Sequence, residues 1–85
     1  MALTLSYFAW VRERMGIADE TVTPPAGVAT IGDLIGWLAE RDEPGTWAFS
    51  EPAQIRAAID GRMAGAGALL PARGEIALFP PVTGG

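Results

Sequence analysis

The two ends of this 85-residue chain carry the same alternating pattern of apolar side chains. Leu3, Leu5 and Tyr7 alternate with Thr and Ser near the start, and Ile76 and Leu78 alternate near the end. A period of two predicts β-strands that each turn one face towards a core. Because a chain of this length supports one domain, we expect both strands in one sheet, side by side at its centre.

A helix between these strands is the second strong signal. Thr30 is a suitable N-cap, and Asp33 three residues later forms a near capping box that also favours the helix dipole. The apolar residues of this segment have helical spacing: Ile31, Leu34, Ile35 and Leu38. Such a stripe predicts a helix that packs across the sheet. Gly32 and Gly36 share another side, which indicates either close backbone packing or tolerated glycine.

Local breaking signals delimit the shorter elements. Residues 41–45 combine charges with Pro and Gly and are predicted to end the main helix. Residues 8–15 predict a short helical turn that Gly16 stops as a left-handed C-cap. Residues 21–23 predict a short strand, closed by the Pro-Pro pair that follows because proline cannot donate to a sheet.

The second half of the chain predicts a hairpin. Residues 55–59 alternate again, and Asp60-Gly61 is a pair typical of a type I′ turn that leads into a short return strand at Arg62-Met63. Residues 69–71 are expected at a buried corner before the last strand. The resulting order of strands around one helix indicates an α+β domain. With the first and last strands central, this is the β-grasp arrangement, a mixed sheet with one main helix packed across it.

The composition excludes several chemistries. The chain has no Cys and no His, and its six basic residues are all Arg. Disulfides, thiolate nucleophiles, the usual zinc ligands, imidazole bases and reactive lysines are therefore excluded. Four carboxylates show no pairing that suggests acid–base chemistry and are expected to cap a helix or lie on the solvated surface: Asp33, Asp42, Glu43 and Glu51. We therefore expect no metal site and no enzyme that works alone.

The charge balance bears on the choice of partner. Ten acidic and six basic residues give a net charge of −4, which argues against nucleic acid and favours a basic protein surface. No apolar stretch approaches the length of a membrane span, and the N-terminal segment lacks the pattern of a secretory signal. We expect neither nucleic acid nor a membrane as partner, and a cytoplasmic location.

The C-terminal segment is the most unusual part of the sequence. No charged side chain follows Glu75, so the only charge beyond it is the α-carboxylate of Gly85. The Pro80-Pro81 pair ends the sheet and favours an extended chain, and six residues from there span about 20 Å. We therefore expect a β-grasp domain over residues 1–79 and an extended tail over residues 80–85.

A thin, uncharged tail can carry a carboxylate into the active site of another protein. Glycine leaves its acyl carbon unhindered, so an ATP-dependent partner could adenylate Gly85. A sulfur nucleophile could then convert the acyl group to a thiocarboxylate. The functional group would be the C-terminus itself, which needs no Cys, His or Lys. The residues expected to thread into the partner are Pro80, Pro81, Val82, Thr83 and Gly84.

Three sequence blocks carry a resemblance to a known family. They are Phe8-Ala9-Trp10-Val11-Arg12-Glu13 with Gly16, then Ala57-Ala58-Ile59-Asp60-Gly61, and finally the run over residues 74–85. Together they resemble the small subunit of molybdopterin synthase, a ubiquitin-like β-grasp sulfur carrier. Asp60 stands where that family commonly has Asn, and Ala72-Arg73 replaces a usually acidic turn. Neither departure affects the tail.

The resemblance implies that the catalytic groups lie on partner proteins. A ubiquitin-activating-like adenylyltransferase would use ATP to form a transient acyl-adenylate at Gly85, and this chain would bind no cofactor. The large synthase subunit would then receive sulfur for cyclic pyranopterin monophosphate, in a heterotetramer with two small subunits flanking a dimer of large ones. Carriers of the same fold for thiamine or cysteine synthesis, and a ubiquitin-like modifier or binding module, stay open as alternatives.

A docking surface for these partners is expected near the tail. Phe8, Met63 and Phe79 lie on elements that neighbour one another in a β-grasp sheet, and Arg12 would support the rim of such a surface. The alternative for these apolar residues is ordinary core or scattered surface positions. The three tryptophans are expected to supply buried area to a small core: Trp10, Trp37 and Trp47.

Overall fold

A computed structural model describes residues 2–81 of the chain. Five strands form one sheet in the order β2-β1-β5-β3-β4. The strands are β1 (Leu3–Tyr7), β2 (Asp19–Val22), β3 (Arg56–Ile59), β4 (Arg62–Ala64) and β5 (Gly74–Phe79). The helices are α1 (Ala9–Met15), α2 (Ile31–Arg41) and α3 (Glu43–Ala48), and a 3₁₀ turn covers Pro52–Gln54.

The first and last strands lie together at the sheet centre, as the alternation predicts. β1 runs parallel to β5, with Leu5 opposite Ile76 and Tyr7 opposite Leu78, and the β1–β2, β3–β5 and β3–β4 pairs are antiparallel. The side chains of these four residues are at most 1% exposed. The mixed β-grasp sheet expected from the sequence is therefore confirmed, and the core-facing side chains of its two most apolar strands are shielded from solvent.

The main helix begins and packs as its pattern predicts. Thr30 Oγ1 accepts the Asp33 N–H at 3.1 Å, and the Asp33 carboxylate accepts the Thr30 N–H at the same distance, which completes a capping box. Backbone N–H groups of Ala29 and Thr30 lower the pKa of Asp33. The apolar stripe of α2 is buried in the core: Ile31, Leu34, Ile35 and Leu38.

The segment after α2 forms a further helix, α3, which the sequence analysis did not predict. The main helix ends at Arg41 as expected, but Asp42 then caps α3 by accepting the Gly45 N–H at 2.8 Å. Pro44 falls in the first turn of α3, where a helix does not need the missing N–H. The charges, Pro and Gly that end one helix therefore also begin the next.

Of the other local expectations, one turn is confirmed, and one strand and one corner differ from the structure. The turn at Asp60-Gly61 has positive φ at both residues, 47° and 85°, as a type I′ turn requires. The short strand expected at residues 21–23 instead spans Asp19–Val22. The buried corner expected at residues 69–71 is wrong for Leu69, which is 73% exposed. Among residues 2–81, no helix is long and apolar enough to cross a membrane.

Candidate functional site

The candidate site lies where β5 delivers the chain to its tail. β5 ends at Phe79 beside the end of β1, and the Phe8 N–H donates to the Leu78 carbonyl at 3.2 Å. Pro80 and Pro81 follow directly and are partly buried. The other predicted tail residues lie outside the described part of the chain: Val82, Thr83, Gly84 and Gly85. Their assigned roles, and the division of the chain at residue 79, stay predictions.

The three predicted docking residues share the face of the sheet that the helices leave open. Phe79 alternates with the buried Leu78, and Met63 pairs with Ala58, which lies on the same face as Phe79. Phe8 is 49% exposed, Met63 is 68% exposed and Phe79 is partly exposed. We call this surface the outer face. Its apolar side chains lie at the end of the sheet from which the tail departs or next to it.

Small side chains form the floor of the outer face. Register places Ser6, Ala77, Ala58 and Met63 in one row across four strands. The row next to it contains Phe79, so a large aromatic ring borders a floor of two Ala and one Ser. Ser6 and Ala77 are partly exposed, whereas Ala58, which lies beside Met63, is 8% exposed. Sequence reasoning missed the floor because the small residues lie on separate strands.

A local change of backbone conformation places Phe8 on the outer face. Phe8 is extended, with φ −131° and ψ 157°, so it continues the alternation of β1 by one residue. Ala9 then takes φ 51°, in the left-handed region, and α1 begins there. Such a conformation is uncommon for a residue other than glycine. The chain thereby turns into α1 only after Phe8 has been presented to solvent.

Arg12 lies close to Phe8, on the exposed side of α1. Its backbone N–H donates to the Phe8 carbonyl at 3.3 Å, so it is positioned one turn beyond the outer face. No carboxylate of residues 2–81 lies within 4.0 Å of its guanidinium. The structure therefore places Phe8, Met63 and Phe79 on the outer face and Arg12 one helical turn after Phe8. Whether these residues contact a partner stays a prediction.

A polar network near the core was not predicted from the sequence. The Tyr7 hydroxyl donates to Glu20 at 2.6 Å, and Arg41 donates to both Glu20 oxygens at 3.0 and 2.8 Å. Arg41 also donates to Asp42 at 3.0 Å. Burial raises the pKa of Tyr7, and its bond to Glu20 adds to that rise. The network joins β1, β2 and α2 through one carboxylate.

The ionised form of Glu20 is favoured by this network. Partial burial opposes ionisation, but the bonds from Arg41 and Tyr7 outweigh it, and the pKa of Glu20 lies below its usual value. A depressed carboxyl pKa contributes stability above the unfolded pKa of about 4.3 and loses it as pH falls through the folded value. Glu20 therefore stabilises the fold at neutral pH but not in strong acid.

We expect Glu20→Gln to lower the melting temperature at pH 7 and to have a much smaller effect near pH 3. The amide cannot pair with Arg41 as a carboxylate does, and a hydrogen bond to a charged group contributes about 1.5–3 kcal/mol. Thermal melts followed by circular dichroism at both pH values measure the difference. The control is Asp19→Asn, an exposed change on the same strand. An equal loss of stability at pH 7 and pH 3 would contradict the assigned role.

The three tryptophans are not equally buried. Trp10 and Trp37 pack against the core as expected, but the same expectation is wrong for Trp47, which is 61% exposed. The Arg14 guanidinium carbon lies 4.4 Å from the Trp10 ring centroid and 5.4 Å from that of Trp47. These cation–π contacts connect α1 to α3, so Trp47 stabilises the helix pair from the surface.

Fold and site together define a class of protein. The sheet order, the helix packed across one face and the terminal strand at the sheet centre are those of a ubiquitin-like β-grasp domain. A model of the ThiS family matches residues 5–85. The chain belongs to the ThiS family of ubiquitin-like sulfur carriers. Among residues 2–81, no three acidic side chains are grouped to hold a metal ion.

Solved structures resemble the chain over nearly its whole length. SAMP1 of Haloferax volcanii is 28% identical, with a TM-score of 0.73 and coverage of 100% of both chains. A Pyrococcus furiosus protein assigned as molybdopterin converting factor, subunit 1, is 26% identical, with a TM-score of 0.76 and coverage of 96% of this chain and 99% of its own. No curated protein sequence matches the chain significantly.

Proposed function

We propose that the chain is the sulfur carrier subunit of molybdopterin synthase. The Gly85 carboxylate attacks the α-phosphate of ATP on an activating adenylyltransferase, and pyrophosphate leaves. Sulfide from a sulfur donor then attacks the acyl carbon, the bond to AMP breaks and AMP leaves, and Gly85 becomes a thiocarboxylate. On the large synthase subunit the sulfur attacks cyclic pyranopterin monophosphate to build the dithiolene of molybdopterin, and water cleaves the acyl–sulfur bond and restores the carboxylate.

One observation carries this proposal. The central strand β5 runs without a break into the sequence Phe79-Pro80-Pro81-Val82-Thr83-Gly84-Gly85, which has no charged side chain. A strand fixed at the sheet centre gives the tail a rigid base, and the tail needs little width to enter a channel. The ThiS family match and the Pyrococcus furiosus protein assigned as a molybdopterin converting factor subunit support the same role.

The partner proteins supply everything else that the reaction needs. ATP binds to the adenylyltransferase, so this chain binds no cofactor of its own. The catalytic groups of the sulfur transfer lie on the large subunit, and two small subunits flank a dimer of large ones in the cytoplasm. The outer face docks both partners in turn, since each of them must receive the same tail.

Intact mass spectrometry tests the proposal. After co-expression with the activating enzyme and a sulfur source, we expect a mass gain of about 16 Da, one oxygen replaced by sulfur, located at Gly85. The thiocarboxylated protein, mixed with the large subunit and cyclic pyranopterin monophosphate, should yield molybdopterin. Thiocarboxylation without any molybdopterin would instead indicate a carrier for thiamine or cysteine synthesis.

A protein modifier is the second candidate, because SAMP1, a small archaeal modifier protein of Haloferax volcanii, is 28% identical over the full length. The same activated Gly85 would then form an amide with a lysine of another protein. The protein has no Lys of its own, so a second copy could not be attached to one of its side chains to build a polymeric modifier. Stable amide adducts in a lysate, dependent on Gly85, would favour this function.

We expect Met63→Glu to weaken binding to the large subunit about tenfold or more, because it places a charge in an apolar contact. Met63 is 68% exposed, so the free energy of unfolding should change by no more than about 0.5 kcal/mol. The matched control is Leu69→Glu, at a residue 73% exposed near the start of α2. Titration calorimetry gives both affinities, and equal affinities would remove Met63 from the interface.

A further inference from the structure

We propose that Arg56 recognises a carboxylate of the activating partner beside the base of the tail. The inference rests on the proposed function, in which the activating partner is the first of two proteins that receive the tail and must surround this point. Register places Arg56 directly opposite Phe79, the last residue of β5. Both alternate with buried neighbours, so they share the outer face. Arg56 therefore stands next to the residue from which the tail departs.

The Arg56 guanidinium is fixed by two hydrogen bonds to backbone carbonyls, but two of its three nitrogens have no hydrogen-bond partner among residues 2–81. One nitrogen, Nη1, donates to the Ala53 carbonyl at 2.9 Å and to the Ile55 carbonyl at 3.2 Å. No hydrogen bond within residues 2–81 uses Nε or Nη2 of this side chain. These two nitrogens form the side of the fork that binds a carboxylate through two parallel hydrogen bonds. The residue is exposed.

A comparison with Arg41 shows what Arg56 lacks. Arg41 uses Nη1 and Nη2 on Glu20 and Nε on Asp42, so each nitrogen of its guanidinium donates to a carboxylate. No carboxylate of residues 2–81 lies within 4.0 Å of the Arg56 guanidinium. One arginine therefore has carboxylate partners within the chain, whereas Arg56, whose backbone lies opposite Phe79, has none among residues 2–81.

The charges on the outer face are separated along the strands. The strand residues of this face include two acids, Asp19 on β2 and Glu75 at the start of β5. Glu75 lies four residues from Phe79 on the same strand, which is about 13 Å. Among the described outer-face residues of β3 and β5, Arg56 is therefore the only charge at the tail end, and Asp19 lies two strands away, opposite Ser6 in the next row, in a chain whose net charge is −4. This refines the expectation of a basic partner surface, since the partner must also offer an acid near the tail.

Charge reversal tests the proposal in an adenylation assay. We expect Arg56→Glu to raise the KM for this chain in ATP–pyrophosphate exchange by about tenfold or more, with kcat within about twofold, because a rim charge acts on encounter and binding. Arg56→Lys keeps the charge without the fork and should raise KM by about threefold. Arg73→Glu, an exposed reversal just before β5 begins, is the matched control and should stay within about twofold of wild type.

The outcomes separate this inference from the proposed function. If the wild-type chain is never adenylated, the proposed function fails and the inference fails with it. If the wild type is adenylated but Arg56→Glu behaves like Arg73→Glu, only the inference is overturned. A fall in kcat with unchanged KM would also overturn it, because it would indicate a disturbed tail and no docking contact. Raising the salt concentration should raise the wild-type KM more steeply than that of Arg56→Glu.

Discussion

Deletion of Gly85 is expected to reduce thiocarboxylate formation more than about 100-fold, because a displacement of even 1 Å can cost a reaction that factor. Removing one residue shortens the tail by about 3.5 Å, so the new terminal carboxylate cannot reach the α-phosphate of ATP. The fold should be unchanged, since the buried core is built from residues 3–78. Single-turnover adenylation followed by intact mass spectrometry measures the effect.

The control for this deletion is a change of equal size at the other end of the chain. One glycine added before Met1 should leave thiocarboxylation within about twofold of wild type, because surface changes away from a site have small effects. One glycine added after Gly85 should fail as the deletion does, since it moves the carboxylate too far. Full activity of the deletion variant would contradict a C-terminal carrier mechanism.

Local patterns in the sequence predict much of this fold. Alternation at residues 3–7 and 76–78 predicts the two central strands, because burial on one face of a sheet imposes a period of two on the sequence. The capping residues Thr30 and Asp33 and the turn pair Asp60-Gly61 act within a few residues of themselves. Such features depend on neighbours in the chain, and a single sequence contains them.

Features that depend on distant residues could not be predicted in this way. Glu20 and Arg41 are 21 positions apart, and only the pairing of β2 with β1 and the packing of α2 bring them together. Arg56 lies opposite Phe79 for a similar reason, because the register of β3 against β5 pairs the two positions. Within the candidate site, the aromatic positions could be predicted from the resemblance. The position of Arg56 beside them could be identified only from the strand register in the structure.

The glycines of α2 and α3 illustrate the same limit. The sequence indicates either close packing or tolerated glycine for Gly32 and Gly36 together, and a helix stop that includes Gly45. In the structure a Cβ on Gly32 would lie 3.2 Å from the Ala66 carbonyl oxygen, whereas one on Gly36 would meet no atom within 4 Å. Gly45 is buried where α3 crosses α2, and a Cβ there would overlap the Leu38 carbonyl oxygen. Of these three glycines, Gly45, which was predicted to help end a helix, therefore lies at the closest contact with a neighbouring backbone.

Gly45→Ala is expected to destabilise the domain by about 3 kcal/mol or more, because a new methyl group against backbone atoms cannot be relieved by a rotamer change. The two helices would have to separate, since the added Cβ would also lie 2.9 Å from the Leu38 carbonyl carbon. For a domain of this size, such a loss lowers the melting temperature by more than about 12 °C. Thermal unfolding followed by circular dichroism measures it.

Gly36→Ala is the matched control for this substitution. It places the same methyl group at an exposed position in α2 with open space around it, and alanine favours a helix over glycine by about 1 kcal/mol. We therefore expect the two Gly→Ala changes to shift the melting temperature in opposite directions. A Gly45→Ala variant as stable as the wild type would mean that α3 does not pack on α2 through this glycine. A destabilised Gly36→Ala variant would mean that this side of α2 is covered.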